Sequence, residues 1–202
     1  MIVHNLLERN IRITNARCYD LDESLVASGY PMLTKVIPRD SNESDVKRAI
    51  KLANTPAGSG HSNFLCRIRV SFDLTIPRYM WQEVQRYHWF DIVSSQSTMH
   101  KIAQMNLLDR ENYTEKTLGI TMRLLCDLQA AYEANKTEEN FRELKAAIPE
   151  GLLLTARIST SYAQLKTMYA QRVKTPHRLN EWVLFGQWML ELPYGKELIA
   201  CE

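Results

Sequence analysis

The chain has 202 residues, 45% of them apolar and 24% Asp, Glu, Lys or Arg, and its 25 basic and 23 acidic side chains leave a net charge of +2. That composition supplies the core of one ordinary domain over residues 1–202 and excludes wholesale disorder, collagen-like repeats and low-complexity sequence. So small a surplus predicts no long-range capture of a polyanion and hence no nucleic-acid partner, while remaining compatible with a local basic pocket.

Residues 1–40 read as strand and loop, because Pro31 and Pro38 oppose a long helix. The polar cluster Ser41-Asn42-Glu43-Ser44 then offers N-caps for a helix whose Val46, Ala49, Ile50 and Ala53 share one face. It should end near Thr55-Pro56-Ala57-Gly58. Next, Ile68, Val70, Phe72, Leu74 and Ile76 alternate with Arg67, Arg69, Ser71, Asp73 and Thr75, which predicts a strand with one buried face. Pro77 stops it and suits the first position of a helix bearing Met80, Trp81 and Val84. Residues 89–100 follow neither period and read as loop or helix caps. Helices follow at about 114–134 and from a Thr137 cap to Pro149. Residues 152–160 read as a short buried strand, with helix as the alternative. Ser161 caps a helix carrying Leu165, Met168 and Tyr169, and Leu179, Trp182, Val183 and Leu190 mark an aromatic-rich C-terminal helix. The class expected is α+β, a mixed α/β domain with a central sheet and long helices; regular βαβ alternation is absent.

Four cysteines at positions 18, 66, 126 and 201 form no C-x-x-C pair, so reduced thiols are expected rather than disulfides or a metal site. The N-terminal stretch is interrupted by Glu8, Arg9 and Arg12, and no window approaches 18 consecutive apolar residues. A cytoplasmic protein without a membrane partner is therefore expected. No G-x-G-x-x-G, Walker loop, H-E-x-x-H or G-x-S-x-G motif occurs.

Four features are candidates for chemistry. His61 lies in the Gly58–Ser62 turn, where it either reaches a ligand or is simply solvated. Gln85-Arg86-Tyr87-His88-Trp89-Phe90 interleaves basic and aromatic groups, suited to a planar phosphorylated ligand or, alternatively, to core rings with Arg86 and His88 in water. Ser94-Ser95-Gln96-Ser97-Thr98 reads as a phosphate cradle or as an ordinary serine-rich loop. Lys145 and Arg172, with Arg178 nearby, point to a ligand, or Arg172 decorates a helix C-terminus.

In order along the chain stand Gly60-His61-Ser62, the alternating strand, Pro77 with Trp81 and Gln82, and Arg86; then Lys145, Ile148-Pro149, the strand 152–160, Arg172, and His177-Arg178-Leu179-Asn180-Glu181. That succession, over about residues 60–202, resembles the flavin-dependent thymidylate synthases (ThyX family). Against the family signature Arg-His-Arg-x-x-Ser-x-Asn-Glu-x-Ser-x-Arg-Tyr, only Arg86 and Ser97 are kept. Tyr87 and His88 replace His-Arg, Ser95 replaces the Glu, and Met99-His100 replace the final Arg-Tyr.

The resemblance implies a homotetramer that binds FAD across subunits and methylates dUMP to dTMP, with methylenetetrahydrofolate as carbon donor and NADPH as reductant. It also implies that His61, Arg86 and His88 face the flavin and that Ser97 and Lys145 hold the nucleotide phosphate. Arg172 would bind the uracil edge and stabilise charge developing on the ring, the catalytic role. The eroded signature leaves an alternative, a non-catalytic nucleotide-binding homologue that has lost FAD chemistry.

Overall fold

The computed structural model describes residues 1–56, 58–175 and 177–202. Ala57, in the expected helix end, and Pro176, between Arg172 and His177, lie outside the described residues.

The alternating segment forms strand β3 (Arg69–Pro77), and Val70, Phe72, Leu74 and Ile76 are all fully buried. Each such side chain contributes about 1.5–3 kcal/mol relative to an exposed position. β3 pairs antiparallel on one side with β2 (Arg12–Tyr19) and on the other with β5 (Leu153–Ser161). A two-residue strand β1 (Leu6–Leu7) borders β2, and β4 (Asp91–Ser95) borders β5, giving the order β1-β2-β3-β5-β4. β2 bulges between Thr14 and Arg17, where Asn15 takes a left-handed φ of 50°. Its side-chain amide donates to Asp73 at 2.6 Å on the polar face of the sheet, and Arg157 donates to the same carboxylate at 3.2 Å.

Helices α1 (Leu21–Ala27) and α2 (Glu43–Ala53) follow the first strands. Asn42 caps α2 and forms a capping box with Asp45, two backbone donors being satisfied reciprocally. Arg39 and Arg48 both pair with the buried Asp45 carboxylate and hold its pKa well below the usual carboxylate range. After β3 come α3 (Arg78–Val84), the single turn α4 (Thr98–Lys101), α5 (Gly119–Ala134) and α6 (Glu138–Ala146). Beyond β5, α7 (Tyr162–Arg172) is capped by Ser161 and α8 (Asn180–Leu190) precedes a π-helical turn at Lys196–Ala200.

The apolar face of the sheet packs with Met80 and Trp81 of α3, Leu165 and Met168 of α7, and Trp182, Phe185 and Trp188 of α8. A second apolar cluster joins α5 and α6 through Met122, Leu125 and Leu144 to Tyr113 and Leu152. Among the described residues no helix is long and apolar enough to cross a membrane.

Four expectations change. Residues 91–95 are a strand, not loop. All five are exposed, so the strand is held by pairing with β5 and not by burial of alternate side chains. α1 occupies part of the segment read as strand and loop; it follows Asp20, which is left-handed and makes no side-chain cap. Pro77 is the N-cap of α3, one position before the helix proper. The helix expected from 114 starts at Gly119, because Thr114 is tied to Gly151 through its backbone N–H at 2.9 Å. Gly151 is required there: a Cβ would collide with the Thr114 and Thr117 hydroxyls.

Candidate functional site

Arg172 ends α7 and turns back under the end of α3. Its Nε donates to the Tyr87 hydroxyl at 2.9 Å, and Nη1 lies 3.0 Å from Glu83 Oε2. The guanidinium sits over the Trp182 ring at 5.2 Å and the Tyr87 ring at 5.8 Å, in cation–π range. Trp182 Nε1 donates to the same Glu83 oxygen at 2.7 Å, and His177 Nε2 lies 3.4 Å from it. Side chains from α7, α8 and the segment before α8 therefore converge on one carboxylate of α3. Arg172 does more than decorate its helix terminus.

Along the exposed side of α7 runs a cleft in two adjoining parts. The first, about 390 Å³, is lined by Arg86, Tyr87, His88, Gln164, Thr167, Gln171 and Arg172. The second, about 480 Å³, shares Gln164 and Thr167 and adds Cys66, Arg67, Arg69, Trp89, Ser161 and Ala163. No acidic side chain lines either part. Arg69 is paired with Asp91, whereas Arg67 and Arg86 form no ion pair among the described residues. Trp89 is 62% exposed and meets His88 edge-on with ring centroids 4.3 Å apart. Cationic forks beside an uncovered indole favour a planar ligand carrying phosphate.

A second cationic cluster forms where α6 meets α4. Lys145 Nζ donates to the Thr98 hydroxyl, and Ser97 caps α4, its Oγ accepting the His100 N–H at 3.4 Å. Burial, with the nearby Arg78 charge, pushes the Lys145 pKa down. Arg78 itself donates to the Ile148 carbonyl at 2.8 Å and lies 3.6 Å from Glu150. Among the described residues Lys145 forms no ion pair and meets only the Thr98 hydroxyl.

The structure thus brings Arg86, His88 and Arg172 to one cleft and Ser97 with Lys145 to another place. His61 is exposed in its turn and lines neither part of the cleft. Of the aromatic run, Phe90 is core, Tyr87 is half-buried on Arg172, and Trp89 faces outward. Sequence reasoning missed Glu83, His177, Arg78 and Gln164 as site residues and read Trp182 only as part of an aromatic-rich helix. The available signal for Glu83 was its place four residues before Tyr87, beside the apolar stripe of α3. Among the described residues no group of three metal-ligating side chains occurs.

No protein-family model matches the chain, and no curated protein sequence does. Solved structures do. The crystal structure of flavin dependent thymidylate synthase ThyX from Helicobacter pylori, complexed with FAD and dUMP, aligns with a TM-score of 0.70 and 16% identity. The match covers 93% of this chain and 97% of that one. A second Helicobacter pylori ThyX structure with FAD and dUMP gives 0.69 and 15% identity over 94% and 96% of the two chains. The five-stranded antiparallel sheet with its surrounding helices is a ThyX-like fold.

Proposed function

We propose that the chain is a divergent flavin-dependent thymidylate synthase, which binds FAD along α7 and converts dUMP to dTMP with methylenetetrahydrofolate and NADPH. The observation that carries this reading is the α7 cleft, which combines Arg67, Arg69, Arg86 and Arg172 with the planar faces of His88 and Trp89 and has no lining carboxylate.

Those residues fit FAD: the arginine forks suit its pyrophosphate and the exposed rings suit its heterocycles. Bound flavin supplies the hydride that activates the pyrimidine. The chain's own part is positioning and electrostatics. Arg86 and His88 hold the cofactor. His61, on its exposed turn, meets it across a subunit boundary in a homotetramer. Arg172 presents N–H donors to the uracil edge, and Ser97 and Lys145 take the nucleotide phosphate, from this or a neighbouring copy.

A second reading, a nucleotide-binding homologue without flavin chemistry, is favoured by two particulars. Arg172 is already paired with Glu83, and Ser95, Met99 and His100 stand where the family signature has Glu, Arg and Tyr. The test is dTMP formation from dUMP in the presence of FAD, NADPH and methylenetetrahydrofolate. Product formation supports the synthase. Binding of dUMP with no FAD uptake and no product supports the second reading, and failure to bind either ligand contradicts both.

A further inference from the structure

Glu83 belongs to no motif, yet three elements aim donors at it. Its Oε2 accepts from Trp182 Nε1 at 2.7 Å and forms an ion pair with Arg172 Nη1 at 3.0 Å, with His177 Nε2 at 3.4 Å. The His177 ring bridges the backbone and the guanidinium, with the Leu179 N–H 3.2 Å from Nδ1 and Arg172 Nη1 3.0 Å from Nε2.

The guanidinium is fixed by these contacts. Nε is taken by Tyr87, Nη1 by Glu83 and His177, and the plane faces the Tyr87 and Trp182 rings. Nη2 makes no hydrogen bond with any described residue, and Arg172 lines the cleft. A carboxylate at hydrogen-bond distance cancels most of the guanidinium's field a few ångströms away. A ligand group meeting Nη2 therefore finds an N–H donor with little net charge behind it. An uncharged carbonyl gains the hydrogen bond in full. An anionic group gains no net ion pair and lies close to the Glu83 charge.

We propose that Glu83 is a specificity-determining residue: it holds Arg172 as a charge-compensated donor that selects an uncharged carbonyl edge, such as that of a pyrimidine ring, over an anionic group at the same place. The inference rests on the reading of this cleft as a pyrimidine-nucleotide site.

The test is the ratio of affinities of 5-carboxy-dUMP and dUMP for the full chain with FAD present, measured by calorimetry. Glu83→Gln keeps the shape and removes the charge; it is expected to raise that ratio about tenfold or more in favour of the carboxylated probe. Arg172→Gln, which leaves Glu83 uncompensated, is expected to lower it. Glu83→Asp keeps the charge and should leave the preference near that of the parent. If one of the two neutralising variants does not fold, the other decides. A ratio unchanged in the folded variant, with dUMP still bound by the parent, overturns the role of Glu83 alone. A parent that binds neither probe overturns the nucleotide-site reading and this inference with it.

Discussion

Arg172 and Lys145 each stand at or near the C-terminal end of a helix, and their surroundings could hardly differ more. Arg172 is 20% exposed, paired with a carboxylate, in cation–π range of the Tyr87 and Trp182 rings, and hydrogen-bonded to the Tyr87 hydroxyl and His177. Lys145 meets a hydroxyl and another cation, and its pKa is pushed down. The first cluster is electrostatically complete within the chain and stabilises it. The second has no carboxylate partner among the described residues, and in the proposed function a ligand's phosphate completes it. In the proposed function the two cations would divide the work, one reading a neutral edge in a preset geometry and the other gaining its partner only on binding.

The contrast can be broken most strongly at Arg172. Arg172→Ala should lower dUMP affinity by roughly 10- to 100-fold, the loss of a charge-assisted contact. It should also destabilise the fold by about 2 kcal/mol, because Glu83 loses its cation. Calorimetry and thermal melting check the two effects. Lys145→Ala should weaken dUMP by about tenfold with a change in stability within about 0.5 kcal/mol, since the lysine has no folded-state ion pair to lose. A large fall in melting temperature for Lys145→Ala would erase the distinction between the clusters.

A third, smaller effect appears in pH. The folded-state pKa of Lys145 lies below its ordinary value, so the ammonium costs stability that is regained as pH climbs from the folded value toward the unfolded one. A phosphate beside it reverses the sign, favours the ammonium and takes up a proton. Affinity for dUMP should therefore fall with rising pH earlier than an ordinary lysine would make it fall, by a few-fold between about pH 7 and 10. Lys145→Arg should flatten that dependence. The smallest effect belongs to Ser97→Ala, which removes the cap of α4 and one hydroxyl: about 0.5–1 kcal/mol of stability and roughly threefold in affinity.

Strand β3 was legible because its burial alternates from Arg69 to Ile76, and helical spacing marked Met80, Trp81 and Val84 on α3. β4 was not, because no side chain in Asp91–Ser95 is buried and its order comes from β5, distant in sequence. α1 was hidden by its brevity and its missing side-chain cap. Arg86, His88, Ser97, Lys145 and Arg172 could be picked out as residue types suited to anions and rings. Their environments could not, because Glu83 and His177 acquire meaning only when α3 and the start of α8 fold against α7. Periodicity reports which face is buried. It does not report which carboxylate a buried arginine meets.

The most direct test of the account is a titration of the purified chain with FAD, followed by the visible spectrum of the flavin and repeated with Arg86→Ala. The account predicts saturable uptake with a shifted flavin spectrum, weakened about tenfold or more by the substitution. A protein that leaves the spectrum of free FAD unchanged, or that binds equally well without Arg86, would contradict the placement of the cofactor along α7.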